Sequence, residues 1–187
     1  MERAQGSTAG IDIQQVFKNA LKNQYHSALA MLRETIEQCS EEMWFSEKHV
    51  NAFWQIAYHT LFFTDTYLQV DEAAFRPWRE HQSEVQNPDV CAGPPDPDST
   101  LPLLPKPYTR AQVLEYWNIC DAMVDPCVDK FDLTAPTDGF SWKKKIVPRA
   151  EFQITNIRHL QHGASMLAAR LRSEADTAVE WVGSWSG

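Results

Sequence analysis

The sequence predicts an all-α protein, a four-helix bundle with a long proline-rich crossover between its second and third helices. Two observations predict it. Apolar residues recur at helical spacing in four long segments, and eight of the eleven prolines gather in one connection, residues 71–108. Strand content is expected to be near zero. Residues 1–10 are expected to be a disordered N-terminus, and residues 11–187 one domain, a length that can bury a real core.

The first helix is expected over about residues 11–39, where Leu21, Tyr25, Ala28, Leu29, Leu32 and Ile36 share a face. The second is expected after Ser46 and to about residue 70. The third starts at Thr109, because Thr109-Arg110-Ala111-Gln112 fits a capping box in which hydroxyl and amide satisfy two free backbone N–H groups. Its stripe is Val113, Trp117, Cys120, Val124, Cys127, Val128 and Phe131, and Pro126 inside that stripe predicts a kink or a loosened turn. The fourth begins near Pro148, a good first-turn residue, and runs to about residue 172.

Between the second and third helices, Gly93-Pro94-Pro95-Asp96-Pro97-Asp98 cannot be helical. A connection this long is either a functional lid or an overhand crossover that reverses helix order, and the crossover is the expected reading. Its aromatic residues Phe75, Trp78 and Tyr108 should pack it over the helices. The tail Trp181-Val182-Gly183-Ser184-Trp185 is rich in indole and is expected to dock.

Charge narrows the function. Seventeen basic and 25 acidic residues give a net charge of −8, which argues against nucleic acid or an anionic membrane as partner. The one tight basic cluster, Lys143-Lys144-Lys145, reads as solvated surface. The start of the chain lacks the apolar core of a signal peptide, and residues 52–63 are too short and too polar to span a bilayer, so a cytoplasmic protein is expected. Cys39, Cys91, Cys120 and Cys127 show neither a CxxC pair nor a zinc-finger spacing. Cys120 and Cys127 should pack as small apolar residues.

Three of the six histidines carry chemistry. His59 lies on the stripe Ala52, Ile56, His59, Phe63, and His159 and His162 are three apart on the fourth helix. Imidazoles from facing helices can converge on one cation, and two ligands on one helix must lie three or four residues apart. Three protein ligands leave an open position where a divalent metal acidifies water or binds a thiolate. The competing reading is a buried, hydrogen-bonded His59 and a solvated His162. His26, His49 and His81 are given no role.

Phe53-Trp54-Gln55-Ile56-Ala57-Tyr58-His59-Thr60-Leu61-Phe62-Phe63 resembles helix two of the DinB/YfiT-like superfamily. Asn156-Ile157-Arg158-His159-Leu160-Gln161-His162-Gly163 resembles its helix four. The order of elements, the proline-rich crossover and the terminal Trp-Val-Gly are similar too. The resemblance implies a four-helix bundle, often a homodimer, with a three-histidine site for zinc, nickel or a similar divalent cation. It also implies thiol-dependent transferase or isomerase chemistry on small molecules, with mycothiol, bacillithiol or glutathione as cosubstrate. The family pattern on helix four is His-x-x-x-His, which would put the second ligand at position 163, a glycine here. With Leu160, Ala164, Leu167 and Leu171 as core, position 163 faces further inward than His162. The site expected is His59, His159 and His162. The alternatives are a metal-dependent hydrolase, or a non-catalytic bundle with a degenerate site that binds a ligand or a protein. The second helix is also apolar on the side of Val50, Trp54, Ala57, Leu61 and Leu68, which either the crossover or a second subunit must cover. A homodimer is expected.

Overall fold

The computed structural model describes residues 12–83, 85–87, 106–141 and 145–185. The N-terminal segment 1–10, Cys91, the run 93–98 and Lys143-Lys144 lie outside the described residues. The protein is all-α: α1 (Ile13–Gln38), α2 (Glu41–Trp44), α3 (Phe53–Leu68), α4 (Arg110–Lys130) and α5 (Arg149–Ala175), with a 3₁₀ turn at Glu72–Ala74. Among the described residues there is no strand, only an isolated bridge between Pro136 and Pro148. Among the described residues no helix is long and apolar enough to cross a membrane.

Each start has a local cause. Asp12 accepts from the Gln14 and Gln15 amides and opens α1. Ser40 caps the unforeseen turn α2, which drives Trp44 into the core. The capping box of α4 forms as the sequence implies: the Gln112 amide donates to Thr109 Oγ1 at 3.3 Å, and the Thr109 amide to Gln112 Oε1 at 2.9 Å. The second long helix starts later than expected, at Phe53 rather than after Ser46. Residues 46–51 are polar apart from Val50, which is 75% exposed, so nothing draws them onto the core. α4 runs through Pro126 to Lys130. Pro126 and Ala122, whose carbonyl loses its partner, both face solvent, so the freed carbonyl is open to hydration.

α1 packs on α4 and α5, and α3 packs on the same two helices. α3 and α5 run antiparallel, since Gln153 reaches Tyr67 O at 3.0 Å and Asn156 reaches Thr64 O at 3.2 Å. α3 and α4 run parallel: Trp54 packs on Tyr108 just before α4, and further along Cys120 Sγ reaches Leu61 O. Successive parallel helices force the chain to return the full length of a helix, which accounts for the long connection. Its described residues act as a cover. Trp78, Val85 and Tyr108 are buried, Trp44 Nε1 donates to Tyr108 O at 2.8 Å, and Trp78 stacks on Tyr116 at 5.0 Å.

That cover answers the question raised by the two-sided second helix. Trp54, Ala57, Leu61 and Leu68 are buried within one chain and demand no second subunit, while Val50, named with them, precedes α3 and stays exposed. The tail docks in part, with the Trp185 ring 5.9 Å from that of His26. Val179 packs on the core and Gln24 Nε2 holds Gly183 O, while Trp181 stands 80% exposed.

An ionic seam joins α1 to α4. His26 lies between Asp121 (2.7 Å) and Asp125 (3.2 Å), and Lys22 pairs with Asp129 at 2.6 Å. The hydrogen bond to Asp121, opposed by burial and aided by Asp125, raises the His26 pKa above its ordinary 6.5. The stabilisation is therefore complete below about pH 6.5 and is lost as pH rises through the higher folded value. Thermal melts of wild type and His26→Gln should differ most near pH 6 and converge toward pH 9. A constant gap across that range would remove the ionic explanation.

Candidate metal centre

The polar residues of α5 set its register on α3. The last carbonyls of a helix have no partner within it. Those at the end of α3 are met from α5 and its start: Gln153 takes Tyr67 O, and buried Arg149 donates to Gln69 O and Val70 O. One turn further along α5, Asn156 takes Thr64 O. The same register brings Gly163 against Thr60 and His159 opposite His59.

The two rings meet end to end, with Nε2 atoms 3.2 Å apart. His59 Nδ1 lies 2.6 Å from Gln86 O, so it carries the proton and donates it, and a lone pair remains on Nε2. His159 Nδ1 is buried and has no hydrogen-bond partner among the described residues. Phe63 wraps both rings at 4.9 and 5.7 Å, and Tyr67 closes the His159 side at 6.3 Å. Burial first, then the neighbouring His59 and His162, push the His159 pKa down to about 4. His159 is thus a neutral imidazole at physiological pH, the form that binds a cation.

His59 and His159 suit a metal. Two nitrogens bound at about 2.0–2.1 Å to a tetrahedral centre stand about 3.3 Å apart, close to the observed separation. The Gln86 carbonyl gives His59 the outer partner that ligating imidazoles use, and His159 lacks one. His162 lies on the exposed side of α5. Among the described residues no three His, Cys, Asp or Glu side chains are grouped to hold an ion. The fold therefore brings together two of the three expected histidines and leaves the third at the surface.

No family model, curated protein or solved structure matches this chain.

The glycine at 163 has a packing cause. A Cβ there would lie 2.1 Å from Thr60 Oγ1 and 2.8 Å from its Cγ2. A histidine at 163 would collide with α3 before reaching any cation, so restoring His-x-x-x-His by Gly163→His cannot rebuild a site in this register. Nothing in the sequence marks Thr60 for this role. Phe63 and Tyr67 were legible in principle, because they follow His59 at intervals of four on one helix face. Gln86 acts through its backbone, which leaves no sequence signal. His81, given no role, packs between Tyr58 and Phe62, and its Nδ1 lies 2.5 Å from Tyr58 Oη. Among the described residues the thiols are not activated. Burial pushes Cys39 up to about 12 and raises Cys120 and Cys127 as well.

Two outcomes follow from this geometry. In an NMR titration of the metal-free protein, the His159 ring should stay neutral from pH 7 to about pH 5, and His59→Ala should move its titration upward. Gly163→Ala should destabilise the protein by about 1–3 kcal/mol through overpacking, outweighing the roughly 0.5–1 kcal/mol that alanine offers a helix. In a Thr60→Ala background the same substitution should cost far less, as chemical denaturation of the single and double variants would show.

Proposed function

We propose that His59 and His159 hold a divalent cation, zinc or nickel, and that the chain is a metal-dependent enzyme acting through a thiol or a water. The observation that carries this reading is the 3.2 Å approach of the two Nε2 atoms, one ring oriented by Gln86 and the other kept neutral by burial. The reading takes the four long helices as a four-helix bundle of the DinB/YfiT-like kind, with the proline-rich connection as its overhand crossover. The thiol-dependent transferase or isomerase class, a small-molecule substrate and a low-molecular-weight thiol cosubstrate come from that resemblance. A homodimer rests on the resemblance alone.

A bound divalent cation supplies Lewis acidity, which brings the pKa of a coordinated thiol or water toward neutrality. The chain's own residues do the rest. Gln86 fixes the His59 tautomer, and Phe63 and Tyr67 keep water from the ring faces, which strengthens electrostatic interactions there. His162 is the third ligand in this reading. It is exposed, and a positive charge on it would lower the basicity of His159.

One observation favours a second reading, a non-catalytic bundle with a degenerate site. Gly163 is locked against Thr60 and His162 faces outward, so the third position is not built in. Zinc and nickel titration of tag-free protein separates the two. The enzyme reading expects stoichiometric binding, lost in His59→Ala and His159→Ala and weakened about tenfold or more in His162→Ala. Wild-type protein that folds normally and binds neither metal would establish the degenerate reading. If metal binds, thiol-dependent turnover separates transferase from hydrolase.

A further inference from the structure

A second cleft, of about 410 Å³, opens between the C-terminal half of α3, the chain just after it and α4. It shares no lining residue with the histidine pair. Its walls include Asp65 and Gln69 from α3, Arg76 and Trp78 from the connection, and Ile119 and Met123 from α4. This volume suits a small metabolite.

Asp65 is the anomaly. It is 3% exposed, yet the groups it meets are neutral: Tyr116 Oη donates to Oδ2 at 2.9 Å and Gln69 Nε2 to Oδ1 at 2.9 Å. Among the described residues no lysine, arginine or histidine pairs with it. Burial raises its pKa, against the lowering effect of those two hydrogen bonds. An unpaired buried carboxylate opposes folding, and such a group is retained where it meets something that the chain itself does not supply.

The opposite charge is also present. Arg76 Nη1 is tied to the carbonyls of Ala73 (2.7 Å) and Phe75 (2.8 Å), and no carboxylate pairs with it among the described residues. Its neighbour Arg79 differs, being paired with Glu115 at 2.7 Å. The guanidinium of Arg76 is thus oriented by the backbone and its charge is uncompensated. Trp78, Ile119 and Met123 supply apolar surface to the same cleft. Among the described residues the buried Trp78 Nε1 has no hydrogen-bond partner.

We propose that this cleft binds a small amphoteric molecule, with a protonated amine on Asp65, a carboxylate on Arg76 and an apolar body against Trp78, Ile119 and Met123. The site stands independently of the histidine pair, so a chelator should leave its binding unchanged. Three probes test it on the full chain by calorimetry and ligand-observed NMR: phenylalanine, phenethylamine with the amine alone, and 3-phenylpropanoate with the carboxylate alone.

Phenylalanine should bind best, phenethylamine more weakly and 3-phenylpropanoate least. Asp65→Asn should weaken phenylalanine and phenethylamine about tenfold or more, because a charge-assisted contact is lost. Arg76→Gln should weaken phenylalanine toward the phenethylamine level and leave phenethylamine unchanged. Ile119→Trp, made at a partly exposed position, should fill the cleft and abolish binding in a protein that still folds. Without probe, Asp65→Asn should melt at or above the wild type, since the carboxamide keeps an acceptor for Tyr116 and sheds the buried charge. The proposal is overturned if neither amine-bearing probe binds at millimolar concentration, or if binding survives Asp65→Asn or Ile119→Trp. It is equally overturned if Asp65→Asn lowers the melting temperature markedly, which would make Asp65 a structural group.

Discussion

The antiparallel seam between α3 and α5 is the constraint on which the rest depends. Gly163 lets the two backbones close over Thr60, and a methyl group at that position would already overlap the threonine side chain. Gln153, Asn156 and Arg149 then fix the helices lengthwise by meeting α3 carbonyls. Close approach and lengthwise register together bring His59 and His159 to 3.2 Å. A shift of one helical turn would slide the rings about 5.4 Å past each other and end the encounter.

The glycine that makes the seam also limits it. In a His-x-x-x-His arrangement the second histidine projects toward the facing helix. In this chain that projection is filled by Thr60, and the histidine stands one position earlier, on the exposed side of α5. Tight packing and a third inward imidazole compete for the same volume here. The site accordingly has two converging nitrogens with a well-oriented His59 and a buried, weakly basic His159, rather than three ligands held in advance.

Parallel α3 and α4 impose the long connection, and the connection then becomes structure in its own right. It buries Trp78 and Tyr108 against α3 and α4, which closes the apolar side of α3 that would otherwise call for a partner subunit. It also contributes Gln86, which orients His59, and Arg76, which stands at the second cleft. Both candidate sites therefore combine rigid helical residues with residues of the connection, an arrangement in which the helices give precision and the loop gives specificity.

The sequence by itself determined the helical class, the start of α4 at the Thr109 capping box and the inward-facing residues of α5. Each is written in local periodicity or cap chemistry, which act over a few residues. It also offered the His59–His159 pair, through the apolar stripe that carries His59 and the helical spacing of His159 and His162. Only the tertiary structure decided that Gly163 is a contact for Thr60, that Asp65 is buried without a cation, and that Gln86 orients His59. These depend on which atoms of distant segments share a volume, and on backbone groups that every residue possesses. The start of α3 at Phe53 was decided the same way: a short polar segment becomes helical only if it has a core to bury, and residues 46–51 have none.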